Sequence, residues 1–167
     1  MQILDEKKRK IQYIMAGLKE LKAEAKERPA LELYEGKEGI KTVYQDILNE
    51  KKPLASISNT HYVFDVLPFF VPNFINQRIK AKIPIMLLNE KTEESVELMK
   101  KKDKKELRET RFIEQLKDIP ITEYIYGDNV AILNTRKDEP TGIIIRNSDF
   151  AREQKIVFDL LWQKAEK

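Results

Sequence analysis

The spacing of the hydrophobic residues changes at Pro29. Before it, over residues 2–28, apolar side chains recur at intervals of seven and three among Lys, Glu, Arg and Gln. The side chains of this seam are Leu4, Ile11, Ile14, Leu18 and Leu21. A seam this narrow predicts a helix that pairs with a second copy in a two-stranded coiled coil. The alternative is an amphipathic helix that lies on its own domain.

After Pro29 the pattern predicts alternating strands and helices. Short alternating or continuous apolar runs predict strands at 30–34, 54–58 and 83–88. Helical spacing predicts helices over 40–48, over 70–81 and from Thr92 onward. Gly36 and Gly39 are expected in the turn before the first of these helices. Strands that alternate with helices in this way favour parallel pairing.

The last third of the chain has the pattern of an antiparallel meander. Residues 122–126 and 130–133 flank the turn sequence Gly127-Asp128-Asn129, and residues 141–145 form a further apolar run. Asn147 is expected to cap a final helix. The apolar face predicted for that helix consists of Phe150, Val157, Phe158, Leu161 and Trp162. The whole order predicts an α/β fold with a mixed sheet and helices on both of its faces.

Composition narrows the chemistry more than the architecture. The 167 residues include no cysteine and one histidine, which excludes disulfides, thiolate metal sites and any site that needs two histidines from one chain. The apolar runs are too short to span a bilayer, and the first residues lack a signal-peptide core. A net charge of +3 does not by itself indicate nucleic acid binding. We therefore expect a cytoplasmic protein without membrane segments, cofactor or metal.

Three segments resemble the effector domain of TrmB-type archaeal transcriptional regulators. They are residues 33–40, residues 124–132, and residues 142–147 with the apolar positions up to 162. The resemblance covers residues 30–165. It implies a helical, coiled-coil dimerisation linker at 1–28 and a regulatory domain with a phospholipase D-like fold at 29–167.

The same resemblance implies a function and its partners. The domain would sense a small-molecule effector, a sugar or another metabolite, and act as a homodimer. DNA would be contacted only through a helix-turn-helix, and none precedes the linker-like helix in this sequence. We therefore expect residues 1–167 alone to bind DNA poorly.

The resemblance also allows the sequence to be compared with the catalytic motif of phospholipase D enzymes. Phospholipase D enzymes use a His-x-Lys motif followed by Asp. Here the histidine lies in His61-Tyr62-Val63, and residues 123–132, which correspond best to the motif strand, hold Tyr and Ile instead. We therefore expect a protein that is not an enzyme. The alternatives are a dimerisation module without ligand and a phospholipase D-type phosphodiesterase.

Five residues are candidates for ligand binding, because polar side chains at strand ends line the crevices of α/β sheets. They are Ser58, Asn59, His61, Asn89 and Tyr126. The alternative is that they serve as capping, turn and sheet-packing residues. A cluster of large apolar residues at 64–74 is interpreted as core, or alternatively as a dimer surface or an apolar ligand cavity.

Overall fold

The computed structural model describes residues 30–167. The predicted coiled-coil seam of Leu4, Ile11, Ile14, Leu18 and Leu21 lies outside the described residues. The strands are β1 (Ala30–Glu35), β2 (Leu54–Ser58), β3 (Ile85–Glu90), β4 (Arg108–Ile113), β5 (Ile121–Tyr126), β6 (Asn129–Asn134) and β7 (Thr141–Arg146). The α-helices are α1 (Gly36–Glu50), α2 (Thr60–Val66), α3 (Phe70–Lys80), α4 (Glu93–Lys102) and α5 (Ser148–Lys164).

The seven strands form one mixed sheet in the order β1-β7-β6-β5-β2-β3-β4. Strands β2, β3 and β4 are parallel because α2 with α3, and then α4, carry the chain back to the same sheet edge. The neighbouring pairs from β2 through β5, β6 and β7 to β1 are antiparallel. The predicted mixed sheet is therefore confirmed. The expected parallel pairing holds for β2, β3 and β4, but it was wrong for β1, which lies at the sheet edge and pairs antiparallel with β7.

The two faces of the sheet are covered unequally. Helices α1 to α4 cover one face, here called the four-helix face, with a core that includes Val43, Ile47, Phe74, Tyr124 and Leu133. Among the described residues, helix α5 alone packs on the other, here called the one-helix face. Its smaller core is built on Ala55, Leu88, Ile125, Val130, Ala151, Phe158 and Trp162. Helices on both faces were predicted and are confirmed.

Helix α1 begins earlier than its apolar spacing predicts. Gly36 and Gly39 lie inside its first turns rather than in a preceding turn. Gly36 has a φ of 71°, which favours glycine. A Cβ at Gly39 would lie 2.8 Å from the backbone carbon of Tyr34. Both glycines therefore allow a direct passage from β1 into α1, and the predicted turn at these positions was wrong.

The cluster at 64–74 belongs to the core of the four-helix face. Val66, Leu67 and Val71 are buried, and Phe74 stacks at a tilt on Tyr44 with ring centroids 4.6 Å apart. Phe69, at the turn between α2 and α3, is 92% exposed. The core interpretation therefore holds for all but this residue.

None of the helices between residues 30 and 167 is long and apolar enough to cross a membrane.

Helix α5 differs from its predicted burial. Phe158 and Trp162 are buried with rings stacked 5.6 Å apart, but Val157 and Leu161 are exposed. A helix on one sheet buries only a narrow stripe, so Val157, 100° from Phe158, and Leu161, 100° from Trp162, leave the contact. Val157 and Leu161 were therefore wrongly placed in the core.

Candidate functional site

A group of buried polar side chains lies where β2 and β3 end. Ser58 and Asn89 occupy neighbouring register positions on these parallel strands. The Ser58 hydroxyl lies 2.8 Å from the hydroxyl of Thr122 on β5. The Asn89 amide nitrogen donates to the Thr60 hydroxyl, and its oxygen accepts from the Thr60 backbone N–H. Parallel strands present their carboxyl ends at one edge, which brings these side chains together.

Asn59 has the strongest indication of a missing partner. Its side-chain nitrogen donates to the carbonyl of Leu116 at 3.1 Å and to that of Lys117. Its side-chain oxygen is buried and has no hydrogen-bond partner among residues 30–167. An unpaired buried acceptor costs about 1–3 kcal/mol. A group that donates to this oxygen would remove that cost.

Glu90 adds a carboxylate to the same group. One of its oxygens accepts from the Thr60 backbone N–H at 3.1 Å. Burial raises the pKa of Glu90, partly opposed by hydrogen bonds from backbone N–H groups such as that of Thr60. The carboxylate is therefore held by backbone donors rather than by a lysine or arginine, and it gives the crevice a negative or readily protonated group.

An open cavity of about 500 Å³ lies beside this group and is here called the polar crevice; Asn59 and Glu90 line it, whereas Ser58 and Asn89 do not. Its lining includes Asn59, His61, Tyr62, Glu90 and Lys117. The His61 side chain is 72% exposed, and its Nε2 lies 3.9 Å from a carboxylate oxygen of Asp65. His61 thus lies at the rim of the crevice on α2, while Asn59 lies at its base.

The structure does not bring Tyr126 into this group. Tyr126 is the last residue of β5, and β5 runs antiparallel to β2, so Tyr126 pairs with Leu54 at the opposite end of β2. There its hydroxyl donates to Asp46 of α1 at 2.8 Å. Tyr126 therefore lies apart from the other four candidates, because the antiparallel direction of β5 brings its last residue to the first residue of β2.

The same antiparallel register places Thr122 beside Ser58. Thr122 was not among the predicted site residues. Glu90 was missed as a site residue as well. No local signal in the sequence could have placed Thr122 there, because the hairpin pattern pairs β5 with β6 and does not show that β5 also lies beside β2.

A second cavity, of about 910 Å³, lies at the opposite ends of β2, β3 and β4, beside α5. Its walls include Pro53, Pro84, Met86, Leu107 and Ile156. Charged side chains such as Arg152 and Lys155 lie at its margin on α5. It is more apolar than the polar crevice, and the sequence analysis did not anticipate it.

The crevice supplies hydrogen-bond donors and acceptors rather than a nucleophile with its base. Ser58 is paired with Thr122, and the histidine at the rim is not within hydrogen-bond distance of either hydroxyl. Among residues 30–167, no three His, Asp or Glu side chains come together as a metal site. The arrangement suits recognition of a small polar molecule.

The sequence matches no protein-family model and no curated protein. Solved structures do match. The structure of TrmBL2, an archaeal chromatin protein with a novel mode of DNA binding, aligns over 99% of this chain with 17% identity and a TM-score of 0.57. This chain spans 65% of the length of that protein.

Two phospholipase D-like structures match over 83% of the chain. Nuc from Salmonella typhimurium, a phospholipase D family member, has 10% identity, a TM-score of 0.58 and 97% of its length covered. NucT from Helicobacter pylori has 9% identity, a TM-score of 0.59 and 99% coverage. The chain therefore has a phospholipase D-like fold, shared with a TrmB-type protein. The fold implied by the sequence resemblance is confirmed.

Proposed function

We propose that this chain is the regulatory domain of a TrmB-like transcriptional regulator, and that it binds a small polar effector in the polar crevice. The observation that carries the proposal is the open cavity lined by Asn59, His61 and Glu90, together with the buried side-chain oxygen of Asn59 that has no partner among residues 30–167. A donor on an effector, such as a hydroxyl or an amine, would satisfy it. The fold shared with TrmBL2 supports the regulatory setting.

Effector binding would act on the domain through α2. Asn59, Thr60 and His61 join β2 to α2, so a ligand held there contacts both elements. A ligand that binds one arrangement of these elements better than another shifts the population between them. DNA contacts would come from a part of the regulator other than this domain.

The proposed role is not enzymatic. His61 is an exposed residue of α2, and the residue two positions further on, Val63, is buried in the core of the four-helix face. A phosphodiesterase of the phospholipase D type requires a lysine at that position to hold the phosphate. The crevice therefore supports binding over phosphoryl transfer.

The test is a thermal-shift screen of the chain against monosaccharides, disaccharides, amino acids and nucleotides. A ligand at 100 times its dissociation constant stabilises the folded state by about 2.7 kcal/mol and raises the Tm by several degrees. His61→Ala, at the exposed rim, should weaken binding without changing the ligand-free Tm. Asn49→Ala, on an exposed site of α1, is the matched control.

Other outcomes would favour the alternatives. A Tm that no compound changes would indicate a dimerisation module without a ligand. Turnover of bis(p-nitrophenyl) phosphate that is lost in His61→Ala would indicate a phosphodiesterase. Specific duplex binding by residues 1–167 at physiological salt would contradict the placement of the DNA contacts outside this domain.

A further inference from the structure

Helix α5 carries more apolar surface than its own sheet can cover. Phe158 and Trp162 face the sheet, whereas Ile156 and Leu160, half a turn away, are each 57% exposed. Val157 and Leu161 are also exposed. A helix with apolar residues around this much of its circumference is typical of a helix that is buried on more than one side.

The sheet beside α5 is also left uncovered by the part of the chain that the structure describes. On the one-helix face, the register aligns Leu31, Ile145 and Val130 in one row across β1, β7 and β6, and Leu33, Ile143 and Ile132 in the next. Neither row contains a charged residue. Leu31 is 70% exposed and Leu33 is 61% exposed. Helix α5 packs on β6, β5 and β2, and within residues 30–167 no helix covers β7 and β1 on this face.

The two apolar regions join. Arg152, Lys155 and Ile156 line the cavity on the β3 side of α5. With 100° per residue, Val157 and Leu161 then lie on the opposite side of Phe158, towards β7. The exposed stripe of α5 therefore continues into the uncovered rows of β7 and β1. By the same reckoning, the exposed Glu153 and Lys164 lie on this side of α5, one turn before and one turn after the apolar stripe. In a chain with 35% charged residues, exposed apolar side chains on two neighbouring elements mark an interaction site.

We propose that this surface, here called the α5–β1 patch, binds the same patch of a second copy of the chain. The shapes fit each other. The uncovered strip of β7 and β1 is about two strands, roughly 10 Å, wide, which is about the diameter of one helix. A two-fold rotation places the α5 of each copy over the uncovered strip of the other. The two α5 helices then lie side by side between two sheets.

The amount of surface supports a second copy as the occupant. Six leucine, isoleucine and valine side chains of the patch are exposed. Together they present on the order of several hundred Å² of apolar surface, and the residues at the edges of α5 and of the strip add to the area that a contact would bury. A stable interface buries about 800 Å² per partner. A two-fold contact buries the exposed side of α5 and the strip of β7 and β1 in both copies at once, whereas a single docked helix would cover only the strip.

This interface does not depend on effector binding, and it differs from the predicted coiled coil of residues 2–28. The experiment must therefore distinguish the patch from that helix in the full chain. The absence of cysteine makes engineered disulfides specific. One preparation carries Leu33→Cys and a second, of different mass through a tag, carries Leu160→Cys. Because each chain holds one cysteine, a disulfide between positions 33 and 160 is necessarily intermolecular.

After mixing and mild oxidation, we expect the mixed disulfide to be the main product. A mixture of Phe69→Cys with Leu160→Cys is the matched control, because Phe69 is 92% exposed but lies at the turn between α2 and α3. It should give little cross-linked product. Sedimentation equilibrium supplies the second readout: Leu160→Glu should weaken the dimer at least ten-fold with an unchanged circular dichroism spectrum, and Phe69→Glu should not.

Three results would overturn the proposal. The first is equal cross-linking in the control mixture. The second is a dimer whose dissociation constant is unchanged by Leu160→Glu, which would leave residues 2–28 as the interface. The third is a wild-type chain that is monomeric. An intramolecular disulfide in the double variant Leu18→Cys/Leu33→Cys would then show that the patch is covered by the chain's own N-terminal segment.

Discussion

The two faces of the sheet show how one chain divides stability from interaction. The four-helix face buries large side chains from α1 to α4 and carries an ion-pair network in which Arg146 contacts Glu32 and Asp46. The one-helix face buries fewer residues and leaves leucines and isoleucines exposed on α5 and β1.

The difference separates two kinds of apolar position. On the four-helix face, apolar residues are enclosed by the same chain, so their burial contributes to the stability of the monomer. On the one-helix face, several apolar residues are largely exposed in the isolated domain, so their burial contributes little to its stability. Their exposure lowers the solubility of the domain unless a partner covers them. Substitutions on the two faces should therefore have effects of different kinds.

The largest expected effect tests the core of the four-helix face. Phe74→Ala removes a buried ring that contacts Tyr44 and Tyr124, and should lower the free energy of unfolding by about 3–5 kcal/mol. Phe69→Ala makes the same chemical change at an exposed turn, and should alter it by less than about 0.5 kcal/mol. Urea denaturation measures both. Equal losses in the free energy of unfolding would contradict the difference in burial between Phe74 and Phe69.

A smaller effect is expected for the ion-pair network that attaches β1 to β7 and α1. Arg146→Gln removes charged hydrogen bonds to Glu32 at 2.6 Å and Asp46 at 2.9 Å, and should cost about 1–2 kcal/mol in urea denaturation. Arg152→Gln breaks only an exposed pair with Asp149, and should be close to neutral. A neutral Arg146→Gln would mean that the network does not stabilise the edge strand.

A loss of similar or smaller size is expected at the start of α5, on the one-helix face. The Asn147 side-chain oxygen accepts from the Phe150 backbone N–H at 2.8 Å. Asn147→Ala should lower the free energy of unfolding by about 1 kcal/mol, with Asn147→Ser recovering most of it. No difference between alanine and serine would contradict a role as a helix cap.

The smallest effect concerns pH. Hydrogen bonds from Arg146 lower the pKa of Glu32 below its ordinary value of 4.5. Because the folded pKa lies below the unfolded one, this stabilisation is complete above pH 4.5 and is lost as the pH falls through the folded pKa. The difference in stability between wild type and Arg146→Gln should therefore narrow in denaturation curves measured from pH 6 down to pH 3. A constant difference would contradict the assigned partner.

The sequence predicts the elements of this fold well, because their signals are local. The alternation in 30–34 and 122–126, the cap at Asn147 and the apolar run at 83–88 each involve a few neighbouring residues. Boundaries shifted where a contact from another element intervened. Gly39 illustrates this, since the closeness of the Tyr34 backbone explains a glycine that the sequence alone assigns to a turn.

The candidate site was predicted only in part. Ser58, Asn59 and Asn89 follow from two parallel strands whose carboxyl ends share an edge, and the structure brings them together. Tyr126 was misplaced and Thr122 was missed, because both depend on the direction of β5 relative to β2. The coiled-coil seam, the division at residue 29, the effector and the lack of catalysis stay predictions.

By itself, the sequence determined the order and type of most strands and helices, because hydrophobic spacing and turn residues act over a few positions. Only the tertiary structure decided which strand ends meet and which apolar stripe is left uncovered. Helix α5 shows the reason. Its residues 156–162 are uniformly suited to burial, yet one sheet can contact only one side of a helix, so the position of that sheet decides which of them remain available to a partner.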